Sequence, residues 1–115
     1  MDGTQNELPV GMVDARLRKG GQSVDLEGVE QASFQVTGGT KYRLMSTSPA
    51  GLLCVGYSAP VTIHNAAGYL PGFGSTFEDN VPEGTVVYLA ELSPLDLSPM
   101  VGGENDIVNV SFYGI

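Results

Sequence analysis

An all-β fold is predicted: a small antiparallel β-sandwich or barrel of about seven to eight short strands with a polar N-terminal arm. Three observations carry this. Sixteen glycines and seven prolines are spread through 115 residues, so helix breakers recur along the whole chain. No stretch between breakers keeps a 3.6-residue apolar period for three turns. Period-two alternation recurs instead, bounded by turn signals at fairly regular spacing.

The elements follow in chain order. Residues 1–9 are polar and end at Pro9, which reads as an arm, and 10–115 reads as a single β domain. Val13, Ala15 and Leu17 alternate with Asp14, Arg16 and Arg18; Gly20-Gly21 turns the chain; Val24 and Leu26 alternate with Asp25 and Glu27. This reads as a hairpin with a charged outer face. Phe34 and Val36, then Gly38-Gly39, then Tyr42 and Leu44 read as a second hairpin. Residues 51–58 are apolar on both faces, which predicts a strand covered on both sides. Val61 to His64 is a short segment with Val61 and Ile63 inward, and 85–90 is another strand. In the last strand, 107–113, Val108, Val110 and Phe112 share one face. Residues 66–80 and 94–106 read as sizeable loops, and 92–100 as a helical turn or an extended crossover.

The chemistry-bearing residues are few. Cys54 and His64 are the one thiol and the one imidazole, ten residues apart, but a cysteine in an apolar strand is ordinarily an inert small hydrophobe. A single cysteine forms no internal disulfide and no zinc framework. Acids that could pair for general acid–base work are Glu78, Asp79, Glu83, Glu91, Glu104 and Asp106; most stand in loops or beside Gly and Pro, where carboxylates are solvated. The turns at 77–80 and 103–106 are oxygen-rich but lack the spacing of a helical calcium loop. No phosphate-cradling glycine motif and no nucleophile elbow occurs. The expectation is therefore no catalytic centre, no cofactor and no metal.

Charge is unevenly placed. Net charge is −8, from 13 acids against 5 bases, and all five bases lie in the first 43 residues. The 72 residues from Leu44 carry seven acids and no Lys or Arg, which argues against nucleic acid and anionic membrane as partners. The basic cluster Arg16, Arg18 and Lys19, with Arg16 and Arg18 on one strand face, is a candidate contact for an acidic partner. Tyr69, Phe73 and Phe77 recur every four residues among helix breakers, as core plugs under a loop or as an exposed contact patch. The start of the chain has neither the basic nor the apolar region of a secretory signal, so synthesis and folding in a reducing cytoplasm are expected.

The segments Ser58-Ala59-Pro60-Val61-Thr62, Gly68-Tyr69-Leu70-Pro71 and Val81-Pro82-Glu83-Gly84-Thr85-Val86-Val87 resemble small β-rich structural proteins of tailed-bacteriophage virions, of the capsid decoration or cement type. The resemblance covers about a quarter of the chain. It implies a non-enzymatic virion protein, made in the host cytoplasm and bound as a homo-oligomer, a trimer above all, to the major capsid protein. On that expectation the basic hairpin and the arm face the capsid and the acidic remainder faces solvent. A phage tail or head-to-tail component is the first rival. The second is a carbohydrate-binding β-sandwich module that stacks sugars on Tyr69, Phe73 and Phe77.

Overall fold

The computed structural model describes residues 22–37, 39–48 and 52–113. Among them every regular element is a strand: β1 (Gln22–Asp25), β2 (Ala32–Gln35), β3 (Lys41–Ser46), β4 (Leu52–Gly56), β5 (Ala66–Leu70), β6 (Thr76–Asn80), β7 (Val86–Leu92), β8 (Pro99–Met100) and β9 (Ile107–Tyr113). The all-β sandwich read from periodicity is the observed fold. One sheet runs β1-β9-β3-β6; the other runs β2-β7-β4-β5, with β8 added on β7.

The pairing has a simple logic. β1 pairs β9, β2 pairs β7, β3 pairs β6 and β4 pairs β5, all antiparallel. The chain is thus one long hairpin, turning back at residues 57–65 and rolled until two further seams close, β3 with β9 and β4 with β7. Two four-stranded faces joined this way form a jelly roll. Because a strand has two edges, β8 takes up on β7 the edge that β2 leaves free beyond Leu89.

The main core lies between the sheets and follows the two-residue period. Val24 and Leu26, Phe34 and Val36, Tyr42 and Leu44, Leu53 and Val55, Val87 and Leu89, and Val108, Val110 and Phe112 all point into it. Phe34 sits edge-on to Tyr42 and Phe112, with ring centroids 5.6 and 6.0 Å apart. A second, smaller cluster of Cys54, Val61, Ala90 and Leu92 covers the other face of β4 and β7. That explains why β4 is apolar on both sides.

Several expectations are corrected. The second expected hairpin is not one, because β2 and β3 belong to different sheets; β1 pairs the last described strand on one of its edges. The partner expected for β1 in its own hairpin, Val13 to Arg18, lies outside the described residues, as does the arm. Residues 66–80 are not a long loop but β5, a short turn and β6, because the chain crosses from one sheet to the other at the sandwich edge. Val61 to His64 is irregular, although Val61 is buried in the outer cluster. Residues 92–100 combine strand and turn: β7 runs to Leu92, and the expected single helical turn is present at 94–96, closed by Leu97 N–H on the Ser93 carbonyl, before the chain enters β8.

Candidate functional site

Strand direction sorts the loops into two ends. Residues 26–31, 47–48, 71–75 and 93–106 lie at one end; 36–37, 39–40, 57–65 and 81–85 lie at the other. The ends differ chemically. Of the large apolar side chains that are exposed among the described residues, all but Tyr69 belong to the first end; the Tyr69 hydroxyl reaches back to the Ile63 carbonyl, 3.4 Å away on the 57–65 connection. Val29 stands on the 26–31 loop and Phe73, 76% exposed, on the 71–75 turn. Leu95 (93% exposed), Leu97, Met100 and Val101 follow one another on the 93–106 segment, and Met45 and Tyr69 lie one residue inside the ends of β3 and β5.

The Leu95 loop is built from its own short polar residues. Ser93 N–H donates to the Ser98 carbonyl at 2.8 Å, and Leu97 N–H to the Ser93 carbonyl at 2.9 Å. Asp96 accepts from the Ser98 hydroxyl at 2.7 Å and its N–H at 3.1 Å, and these bonds hold the Asp96 carboxylate below its ordinary range. Leu97 adopts φ 62°, a left-handed conformation that a leucine rarely takes. Folding gains nothing by showing Leu95 to water on a fixed loop.

Polar side chains close the core at both ends. At the polar end the closure is complete. Tyr57 donates to Asp79 at 2.5 Å, so its remaining lone pair accepts from Tyr42, 2.7 Å away. Burial and this bonding push both phenols upward. At the apolar end it is incomplete. Strand alternation carries the inward row Val87, Leu89 one step on to Glu91, and the row Phe112, Val110, Val108 one step on to Asp106. Both carboxyls are buried, at 2% and 1% exposure. Glu91 Oε1 and both Asp106 carboxyl oxygens have no hydrogen-bond donor. Burial first, then the hydrogen bond and charge of Asp106, push the Glu91 carboxyl up to about 7, against an opposing Gly103 N–H.

The other sequence candidates fall as follows. Arg16, Arg18 and Lys19 lie outside the described residues. The aromatic triad divides: Phe77 packs inward 6.2 Å from Tyr42, Phe73 is a loop tip, and Tyr69 is 42% exposed. It therefore makes no common platform. Cys54 is buried, and burial pushes its thiol up to about 11; His64 is exposed on the 57–65 turn, so the pair builds no nucleophile. Residues 77–80 are a strand, with Glu78 paired to Lys41 and Arg43 at 3.3 and 3.5 Å. Sequence reasoning named Glu91 and Asp106 but placed them in solvent. The missed signal was parity, since both continue apolar i, i+2 rows.

No protein-family model matches the chain, and no curated protein matches it. Among solved structures the chain is similar to Aeromonas hydrophila PliG, a periplasmic lysozyme inhibitor of g-type lysozyme. The identity is 15%, the TM-score 0.46, and the match covers 87% of this chain and 94% of that one. Against that finding the capsid-decoration function, its tail and carbohydrate-binding rivals, and the virion location are withdrawn. There is a physical reason for the mistake. The segments that carried the resemblance are the end of β5 with its turn, the 57–65 turn, and the 81–85 turn into β7. They report turn chemistry common to many β proteins. At this level of likeness the inhibitor's activity and location belong to that protein alone.

Proposed function

We propose that the protein is a non-catalytic binding module whose apolar loop end docks a protein partner. One observation carries the reading: all but one of the exposed large apolar side chains of the described residues gather at a single end, and the most exposed of them, Leu95, sits on a loop fixed by its own hydrogen bonds. Scattered exposed apolar residues need no explanation, but a one-sided set rimmed by charge does. From the β5–β6 edge to the β7–β8 edge the end spans about 14 Å, three strand spacings. Its exposed acids are Asp25, Glu27, Glu30, Asp96 and Glu104. The complementary partner is an apolar depression ringed by Lys and Arg. Two copies of this end would set acid against acid, so a homo-oligomer of the expected kind would form through another surface.

The test is site-specific photo-crosslinking in the native host. A photoreactive residue at Leu95 or Phe73 is expected to capture one protein species, and at His64 or Glu83, on the opposite end, to capture none of it. Leu95→Asp should abolish the capture from Phe73 without shifting the melting temperature. Equal capture from both ends, or capture insensitive to Leu95→Asp, would overturn the reading.

A further inference from the structure

Beneath the apolar end lies a charged pair that the rest of the core does not need. The sandwich closes its other end with a network in which each hydroxyl has a partner, Tyr42–Tyr57–Asp79. Here two carboxyls meet in the inter-sheet space and three of their four oxygens lack a donor. Two buried carboxylates in contact cannot both ionise without large cost. A cation would relieve them only with more ligands, and among the described residues no third His, Cys, Asp or Glu joins them. A proton shared between the two carboxyls needs nothing else.

The surroundings supply no countercharge. Leu53 of β4 and Met100 of β8 stand opposite Glu91 on its two neighbouring strands. Buried Leu26, Ser46 and Val108 occupy inward positions at this end on β3, β9 and the segment after β1. Of the described bases, Lys41 and Arg43 pair with Glu78, and His64 is on the opposite end. For Glu91 the neighbouring carboxyl is Asp106, and the one opposing dipole is the Gly103 N–H.

Asp106 and Gly103 belong to the segment that bears the apolar surface. Residues 100–106 are tied to the 26–31 loop through Gly28 N–H to the Gly102 carbonyl (2.9 Å), Gly102 N–H to the Val29 carbonyl (3.0 Å) and Leu26 N–H to the Asp106 carbonyl (2.8 Å). They are tied to β7 through Met100 and through the acid pair. Val29, Met100 and Val101 are carried on this junction.

We propose that Glu91 and Asp106 form a proton-operated latch: one shared proton holds the 100–106 segment on β7, and losing it releases the segment and so regulates the apolar end. The regulatory part rests on the docking reading above; the latch itself does not. With the proton present, one carboxyl donates to the other across the gap between the sheets. When the proton leaves to solvent as a hydroxide or buffer base takes it, two anions face each other without a countercharge. The junction opens to admit water.

Amide hydrogen exchange of the isolated protein, followed from pH 5.5 to 8.5 and corrected for intrinsic base catalysis, tests the latch without any partner. Protection at Gly102, Gly103 and Asp106 is expected to fall by up to about tenfold per pH unit as pH rises from 5.5 toward 7 and to level off above it. Glu91→Gln should make the profile flat. A carboxyl carbon NMR titration of the wild type reads the same proton directly, whether or not the variant folds. Corrected protection that does not change with pH would overturn the latch, as would a pH dependence kept in Glu91→Gln or both carboxyls titrating in the ordinary range. If the latch titrates as expected while photo-crosslinking at Leu95 fails, the docking reading falls and the latch stands.

Discussion

Tyr57 holds the most economical position in the molecule, since one hydroxyl both donates to Asp79 and accepts from Tyr42. The two phenylalanine variants should therefore differ. Tyr42→Phe removes a donor and leaves Tyr57 bonded to Asp79, so the expected loss is about 1 kcal/mol. Tyr57→Phe strands the buried Tyr42 hydroxyl and leaves Asp79 Oδ2 without the phenol, Oδ1 keeping the Asn80 N–H, so the loss should be larger, about 2–3 kcal/mol. Urea unfolding of both variants checks the order. At the other end, Glu91 keeps its proton to higher pH when folded than when unfolded, its carboxyl being raised from an ordinary 4.5 to about 7. The folded state thus binds more protons across that window. The contribution is full below pH 4.5 and is lost as pH rises through 7, amounting to about 3 kcal/mol at most. Thermal melts should show wild type losing ground to Glu91→Gln between pH 5 and 8. A variant equally stable relative to wild type at both pH values would contradict this. Neither network is visible as a motif. Each is visible only as parity, with Glu91 two residues after Leu89 and Asp106 two before Val108, and an acid at an inward position is easily taken for the end of a strand.

Strands with β-branched or large apolar residues on one face were legible, and strands without them were not. β9 carries Val108, Val110 and Phe112 and was found to the residue; β7 was found short by two residues at its end. β5 (AAGYL) and β6 (TFEDN) have almost no such stripe and are edge strands, held by pairing to β4 and β3. Their composition reads as loop because edge strands need little burial. The Gly-Gly turns misled in another way, since a glycine turn does not say whether the next strand stays in the sheet or crosses to the facing one. Gly68 in β5 shows what the weak composition serves. A Cβ there would land on the Phe77 ring, which packs in the core across the sandwich edge. Gly68→Ala should cost about 1–3 kcal/mol through that overlap, and Phe77→Leu in the same chain should recover part of it. Chemical denaturation of the single and double variants provides the comparison.

The whole molecule is an asymmetric object built on a symmetric plan. Two sheets of similar size enclose one core, yet nearly all the exposed large apolar side chains of the described residues and the unsatisfied acids lie at one end, and the satisfied tyrosine network lies toward the other. The buried thiol fits this division. Cys54 lies under the outer cluster away from both ends, and it should resist a thiol reagent in the native state and react fully in denaturant, as a colorimetric thiol assay would show. The rolled hairpin also dictates an order of events. Its β4–β5 pairing joins neighbouring segments, whereas among the described residues β1 pairs β9, and β3, already paired to β6, gains its second neighbour in β9 as well. On the ribosome, the β1-β9-β3-β6 sheet stays split, with β1 severed from β3, until the last strand has been synthesised. Folding is therefore slow and post-translational, dominated by contacts remote in sequence. A nascent chain ending at Asn105 should be trapped by holdase chaperones and be cut readily by protease, and extending it through Tyr113 should confer resistance in one step.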